Sequence, residues 1–187
     1  MNRLTHAIAS TDTAGVLLCS GSPQANGDAA SLVGLVQASG LACLVADDAR
    51  LAAQIGADGV HLAADPTLYA EARQILGGEA NIGVFCGSSR HDAMLLAEAG
   101  ADYVAFGPEG EGDSGAADRR AELIAWWSEI FVVPCVAWNV ASAEDAALCA
   151  QRGADFIAPP ISLWGDDDGA RLIAEIDRAV RAARRAA

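Results

Sequence analysis

Gln54-Ile55-Gly56-Ala57-Asp58-Gly59-Val60-His61-Leu62-Ala63 joins the end of a helical pattern to a short apolar run, and the chain writes nearly the same phrase twice more. The second copy is Glu98-Ala99-Gly100-Ala101-Asp102-Tyr103-Val104-Ala105-Phe106-Gly107, and the third is Gln151-Arg152-Gly153-Ala154-Asp155-Phe156-Ile157-Ala158-Pro159-Pro160. In each, a helix stops at a glycine suited to the left-handed position after its last turn, a tight turn follows, and a strand buried on both faces begins. A chain that repeats this join is built of βα units, which implies parallel strands connected by helices.

Seven apolar β-like runs carry the pattern: Val16–Cys19, Leu41–Ala46, Gly59–Ala63, Ile82–Cys86, Tyr103–Gly107, Val132–Trp138 and Phe156–Pro159. Helical patterns lie between them, over Asp28–Ser39, Asp48–Ile55, Pro66–Leu76, Ser89–Ala99, Asp118–Phe131 and Ser142–Arg152, and a last one covers Ala170–Arg185. Pro66 behind Asp65 is the first helical position behind an Asp cap. Strand starts fall roughly 16 to 30 residues apart, about one βα unit each. The expectation is a single (β/α)₈ TIM barrel over residues 1–187, with its first strand lacking or replaced. Asn2–Ser10 reads as the helix before the Val16 strand. A doubly wound open sheet is the competing architecture, but no GxGxxG turn or GxxxxGK[ST] loop supports it. Two stretches read as irregular: Gly107–Gly115, an acidic glycine-rich loop, and Gly165–Gly169.

The composition narrows function by exclusion. The 187 residues carry a net charge of −13, and all twelve cations are arginine. With no lysine, Schiff-base chemistry is excluded, and any phosphate must be held by Arg, backbone N–H groups or a metal. The negative charge argues against nucleic acid and anionic membranes as partners. No long uncharged apolar stretch and no basic, apolar leader are present, and five cysteines without a CxxC pair point to a reducing, cytoplasmic setting. Cys19, Cys43, Cys86 and Cys135 lie in or at the ends of apolar runs, as small core residues do. Of the adjacent Trp126 and Trp127, one is expected to pack on the barrel and the other to cover a neighbour or a subunit interface.

The stretch Ala46-Asp47-Asp48-Ala49-Arg50-Leu51-Ala52, then Gly56-Ala57-Asp58-Gly59-Val60-His61-Leu62, Ala72–Gly77, Ile82-Gly83-Val84 and Gly100–Pro108, resembles the thiamine phosphate synthase and thiazole tautomerase superfamily in order and spacing. Ser89–Met94 and Ala125–Phe131 look like a divergent branch of it. The resemblance implies a transferase joining a pyrimidine diphosphate to a thiazole phosphate with Mg²⁺, releasing pyrophosphate, with phosphorylated thiamine precursors as ligands.

By resemblance, Asp48 and Asp65 match the Mg²⁺ ligands, and Asp47 stands where the family usually has Asn. Each of Asp48 and Asp65 also fits as a helix N-cap. Asp47, Cys86, Asn139 and Ser162 are the positions the resemblance would put near substrate. No catalytic residue is assigned: His61, inside a strand, reads as packed and hydrogen-bonded, Cys86 as core filler or a thiol at the barrel mouth, and His91 sits too far into the next helix to match the tautomerase histidine.

The phosphate-handling half of the family pattern is altered. The Gln-x-Arg-x-Lys strand becomes Val16–Ser22, the Thr-x-Thr-Lys loop becomes Glu109–Asp113, and the Gly-Gly-Ile turn becomes Asn139-Val140-Ala141. The Ser-Ala-Ile nest becomes Pro160-Ile161-Ser162 behind Pro159, and proline has no N–H to donate. Phe85 replaces the usual Ser. A degenerate site on a repurposed thiamine-related binding barrel is therefore the alternative expectation. A barrel short of one strand would leave two unpaired edges, so the gap beside Val16–Cys19 is expected to be covered by the N-terminal segment, by a strand encoded upstream of Met1 or by a partner subunit, with dimerisation the preferred answer.

Overall fold

The computed structural model describes residues 8–19, 26–108, 115–164 and 168–186. Seven strands follow one another in one sheet in the order of the chain: β1 (Gly15–Leu18), β2 (Ala42–Ala46), β3 (Gly59–Ala63), β4 (Asn81–Gly87), β5 (Tyr103–Phe106), β6 (Cys135–Trp138) and β7 (Phe156–Ala158). Helices α1 (Asn26–Ala38), α2 (Ala49–Ile55), α3 (Pro66–Leu76), α4 (Arg90–Glu98), α5 (Ala116–Ile130) and α6 (Ala143–Gln151) alternate with them, and α7 (Gly169–Ala186) closes the series. This is the α/β, TIM-barrel type of architecture that the repeated join implied, with seven strands among the described residues. Of the expected Asn2–Ser10 helix only residues 8–10 are described, and they are helical. The Glu109–Asp113 loop, Ser20–Ser22 and Gly165–Asp167 lie outside the described residues.

The chain divides into two compact units, Thr13–Val104 and Met1–Asp12 with Ala105–Ala187. In the first, β1 to β4 pair in parallel, with Val45 opposite Val60 and His61 opposite Gly83. Its core is built from Cys43, Val45, Val60, Ile82 and Val84 of the strands under Val33, Val36, Ala52, Ala72 and Leu96 of the helices. In the second, β6 and β7 are parallel, and Phe106, Ile124, Trp127, Cys135 and Cys149 fill the core.

The repeated phrase has one geometry in all three copies. Gly56, Gly100 and Gly153 take φ of 71°, 101° and 96°. The alanine after each returns its N–H to the helix it has just left: Ala57 to Ala52, Ala101 to Leu96, and Ala154 to Cys149, each at 3.0 Å. The aspartate then grips the neighbouring strand at two points. The N–H groups of Asp58, Asp102 and Asp155 donate to the carbonyls of Cys43, Ile82 and Cys135 at 2.8, 2.9 and 3.0 Å. Their carboxylates accept the N–H groups of the same three residues at 2.7, 2.7 and 2.8 Å. Gly-Ala-Asp is thus a device that ends a helix and sets the register of the next strand.

Three expectations change in detail. The sixth strand begins at Cys135 rather than Val132: Pro134 cannot donate to a ladder, and Val132 is exposed. A 3₁₀ helix over Ile161–Trp164 has no counterpart in the apolar pattern. Cys19 is exposed, whereas Cys43, Cys86, Cys135 and Cys149 are buried. Trp127 is buried, stacked on Phe131 at 4.0 Å and edge-on to Phe106 at 5.7 Å, while its Nε1 donates to Val133 at 2.7 Å. Trp126 packs edge-on against both Trp127 and Phe131. No helix among the described residues is long and apolar enough to cross a membrane.

Candidate functional site

Asp48 and Asp65 each lie two residues beyond the end of adjacent parallel strands, β2 and β3, and so share one end of the sheet in the unit Thr13–Val104. Each caps the helix that follows. Asp48 Oδ1 accepts the Leu51 N–H at 2.8 Å, and Asp65 Oδ1 accepts those of Thr67 and Leu68 at 2.7 and 3.2 Å. In both residues the bonds fall on Oδ1, which orients the carboxylate and leaves Oδ2 to a ligand. The cap and ligand roles are therefore compatible.

Asp47 has φ of 53°, one of two left-handed non-glycine residues among those described; the other is Asn139, at 57°. Each directly follows a strand, β2 and β6 respectively. Asn and Asp tolerate this region better than other side chains, and such outliers concentrate at functional turns. Asp47 spends both its ends on β3: its N–H donates to the His61 carbonyl at 2.9 Å, and its Oδ1 accepts the Ala63 N–H at 3.1 Å.

His61 is buried, with Nδ1 2.9 Å from the Tyr103 hydroxyl and the two rings stacked at 11°. The contact exists because residue 83, opposite His61, is glycine: a Cβ there would stand 1.9 Å from the Tyr103 ring. Tyr103 thus reaches across β4 to β3. Burial pushes the imidazole down to about 4, against a smaller opposing pull from Asp47, so it is neutral at physiological pH. Burial also drives the Tyr103 phenol well above its ordinary value, with the Asp102 charge adding to it. The pair is a neutral, packed hydrogen bond, as the position of His61 within a strand implied.

Cys86 is buried near the end of β4, its Sγ directed to the Val84 carbonyl at 3.8 Å. Asn139 and Ser162 belong to the other unit. Asn139 Nδ2 donates to the Pro108 carbonyl at 3.4 Å, and the neighbouring Val140 N–H is committed to Ala158 at 3.1 Å. Ser162 is exposed on the 3₁₀ helix. The first unit therefore brings Asp47, Asp48 and Asp65 to neighbouring turns at its strand ends, and Cys86 lies on the next strand.

Arg120 was not singled out by the sequence. It is buried in α5, donates to the Trp138 carbonyl at 2.9 Å and forms an ion pair with Asp145. A Cβ on Gly107 would lie 2.5 Å from that same carbonyl, so the backbone just before Asn139 is bonded by Arg120 and passes close to Gly107. The available signal was spacing: Arg120 shares a helical face with Ile124 and Trp127, where a charge needs a partner. Tyr103 and Gly83 were also missed; the signal there was a glycine inside an apolar strand, which marks a close approach.

Among the described residues no group of three or more His, Cys, Asp or Glu is arranged to hold a metal ion. A pair of carboxylates is smaller than such a group, and Mg²⁺ is commonly held by only one or two protein carboxylates with water and phosphate completing the shell.

The sequence profile of the thiamine monophosphate synthase family matches residues 22–160. The thiamine-phosphate synthase of Rhodospirillum centenum is 43% identical over 151 residues, 79% of this chain and 72% of that protein. That of Erythrobacter litoralis is 42% identical over 145 residues, 75% of this chain and 68% of its own length. Among solved structures, a thiamine phosphate pyrophosphorylase from Pyrococcus furiosus superposes with a TM-score of 0.80 at 19% identity, over 97% of this chain and 89% of that one, a likeness of fold. The chain belongs to the thiamine monophosphate synthase family.

Proposed function

We propose that this protein is a thiamine-phosphate synthase, joining a hydroxymethylpyrimidine diphosphate to a thiazole phosphate with release of pyrophosphate. The observation that carries the reading is the Asp48 and Asp65 pair on adjacent strand ends, each oriented by its own helix and each with Oδ2 to spare. These two would hold Mg²⁺, which when bound would offset the charge of the diphosphate and of the pyrophosphate leaving from it. The caps fix one oxygen of each carboxylate before substrate arrives, which lessens the ordering left to do on binding. With no lysine anywhere in the chain, the diphosphate depends on this carboxylate–metal arrangement, arginine and backbone N–H groups. Asp47, Cys86, Asn139 and Ser162 are read as the surroundings of the substrates. The chain is read as one barrel domain working in the cytoplasm, with a second copy covering the edge beside β1.

A second reading, a barrel that binds a thiamine-related ligand without turnover, draws on the Asn139–Ala141 turn. Its Val140 N–H is committed to Ala158, and Pro159 and Pro160 offer none. A coupled assay with both phosphorylated substrates and Mg²⁺, run beside thermal-shift titrations of thiazole phosphate, pyrimidine phosphates and thiamine phosphate, separates the two. Turnover lost on removing Mg²⁺ supports the synthase. A ligand-induced thermal shift without turnover supports the binder, and neither signal would reject both.

A further inference from the structure

The regular pairing of β2 with β3 ends at Ala46 opposite His61, but β3 continues two residues further, to Ala63. The Ala63 N–H falls beyond the last paired residue of β2, and it bonds to the Asp47 side chain at 3.1 Å. The carboxylate takes the place of the strand that has stopped. The backbone of the same residue supplies the preceding link, Asp47 N–H to the His61 carbonyl at 2.9 Å. The anchor is itself fixed, because the His61 ring is held by Tyr103 in the slot opened by Gly83. Asp47 makes both contacts at a left-handed φ of 53°, a conformation that Asp and Asn adopt at low cost.

Asp48 is the next residue after this clamp on one side, and Asp65 lies two residues after Ala63 on the other. Sixteen residues of chain separate Asp48 from Asp65, so no local geometry sets their relative placement. The β2–β3 pairing brings the two strand ends side by side, and the clamp extends that tie past the last pair, joining the turn that carries one carboxylate to the strand end that leads to the other.

We infer that Asp47 is a positioning residue: it fastens the β2 turn to the end of β3 and so holds the Asp48 and Asp65 carboxylates in register for one divalent ion. This rests on the proposed synthase reading, in which those two residues hold Mg²⁺. It gives Asp47 the work of a clamp within the surroundings of the substrates.

Three variants separate the parts of the device. Asp47→Asn keeps the left-handed preference and an oxygen for Ala63 while removing the charge. Asp47→Gly keeps the backbone freedom and removes the clamp, and Asp47→Ala removes both. The primary readout is calorimetric titration of Mg²⁺ in the presence of inorganic pyrophosphate, without turnover. The second is hydrogen exchange at the Ala63 amide in the ligand-free protein.

The expected result is Asp47→Asn within about threefold of wild type. Asp47→Gly should be weaker by about 10- to 100-fold, the usual cost of losing a partner that orients a ligand, with faster exchange at Ala63. Asp47→Ala should be at least as weak as Asp47→Gly. An Asp47→Gly variant that exchanges faster at Ala63 yet binds as wild type does would overturn the inference while leaving the metal reading standing. So would an Asp47→Asn variant as weak as Asp47→Gly with Ala63 still protected, since the charge itself would then be the ligand. Wild-type protein that takes up no Mg²⁺ under these conditions would overturn the metal reading, and the inference with it.

Discussion

Arg73 Nη2 reaches from α3 to the carboxylate of Asp102 at 2.9 Å, and the oxygen it meets, Oδ2, is the one that accepts the Ile82 N–H at 2.7 Å. Two roles therefore compete at one atom, and magnitude decides between them. The ion pair is partly exposed, and such pairs contribute about 0–1 kcal/mol, whereas a backbone N–H left without its charged acceptor costs about 1–3 kcal/mol. Asp102→Ala is expected to lower stability by about 1–3 kcal/mol in urea unfolding, and Asp102→Asn by less, because an amide oxygen still accepts from Ile82. Raising the salt to 1 M should leave the wild-type protein within about 1 kcal/mol. A salt-induced loss as large as that of Asp102→Ala would show that the ion pair, and not the Ile82 bond, is what Asp102 contributes to stability.

The threefold join was legible because its chemistry is local. Glycine ends the helix, alanine bonds back to it, and the aspartate takes the next strand, all within a few residues. Residues that act across the sheet left weaker traces. Gly83 and Tyr103 lie twenty residues apart, and nothing in either strand's own pattern says that one ring will lie over the other's missing side chain. Arg120 finds its partners at Trp138 and Asp145, so its role depends on how α5 meets β6 and α6. Pro134 was visible, yet the apolar run around it outweighed the lost ladder donor. The two carboxylates were found through family resemblance; that each could cap and still present a free oxygen became apparent only from the hydrogen bonds.

The Gly83 slot should tolerate nothing larger. A Cβ at residue 83 would sit 1.9 Å from the Tyr103 ring, so Gly83→Ala forces the ring out and breaks its bond to His61. Overpacking of this kind costs about 1–3 kcal/mol. Shrinking the ring makes room: the double variant Gly83→Ala with Tyr103→Val should be more stable than the sum of the two single losses implies. Unfolding midpoints of all four proteins give the coupling directly. Strict additivity would mean that the ring and the glycine do not share the space.

Asp48 and Asp65 each combine a structural with a proposed functional role, and asparagine separates the two. Its side-chain oxygen caps a helix about as well as that of aspartate, so Asp48→Asn and Asp65→Asn should fold with stability within about 1 kcal/mol of wild type. It is a poorer ligand for a hard divalent ion. Each variant should therefore need at least about tenfold more Mg²⁺ for half-maximal activity, while its thermal midpoint without metal hardly moves. An unchanged Mg²⁺ requirement in both variants would restrict the two residues to capping.

His61 sets a pH signature for the fold. Burial lowers its folded value to about 4, below the ordinary value of 6.5 in an unfolded chain. Between those two values the unfolded state binds a proton that the folded state does not, so stability rises with pH through this window. The contribution is complete above about 6.5 and is lost as the pH falls toward 4. A shift of this size corresponds to about 3 kcal/mol. Carboxylates titrate in the same range, so the useful quantity is a difference: wild type against His61→Gln, compared by urea unfolding at pH 7.5, 6.0, 5.0 and 4.5. The wild-type protein should lose more stability than the variant across the lower half of that series, by up to about 1.4 kcal/mol per pH unit. Parallel curves would mean that His61 is as easily protonated in the fold as outside it, and that the Tyr103 contact does not keep it dry and neutral.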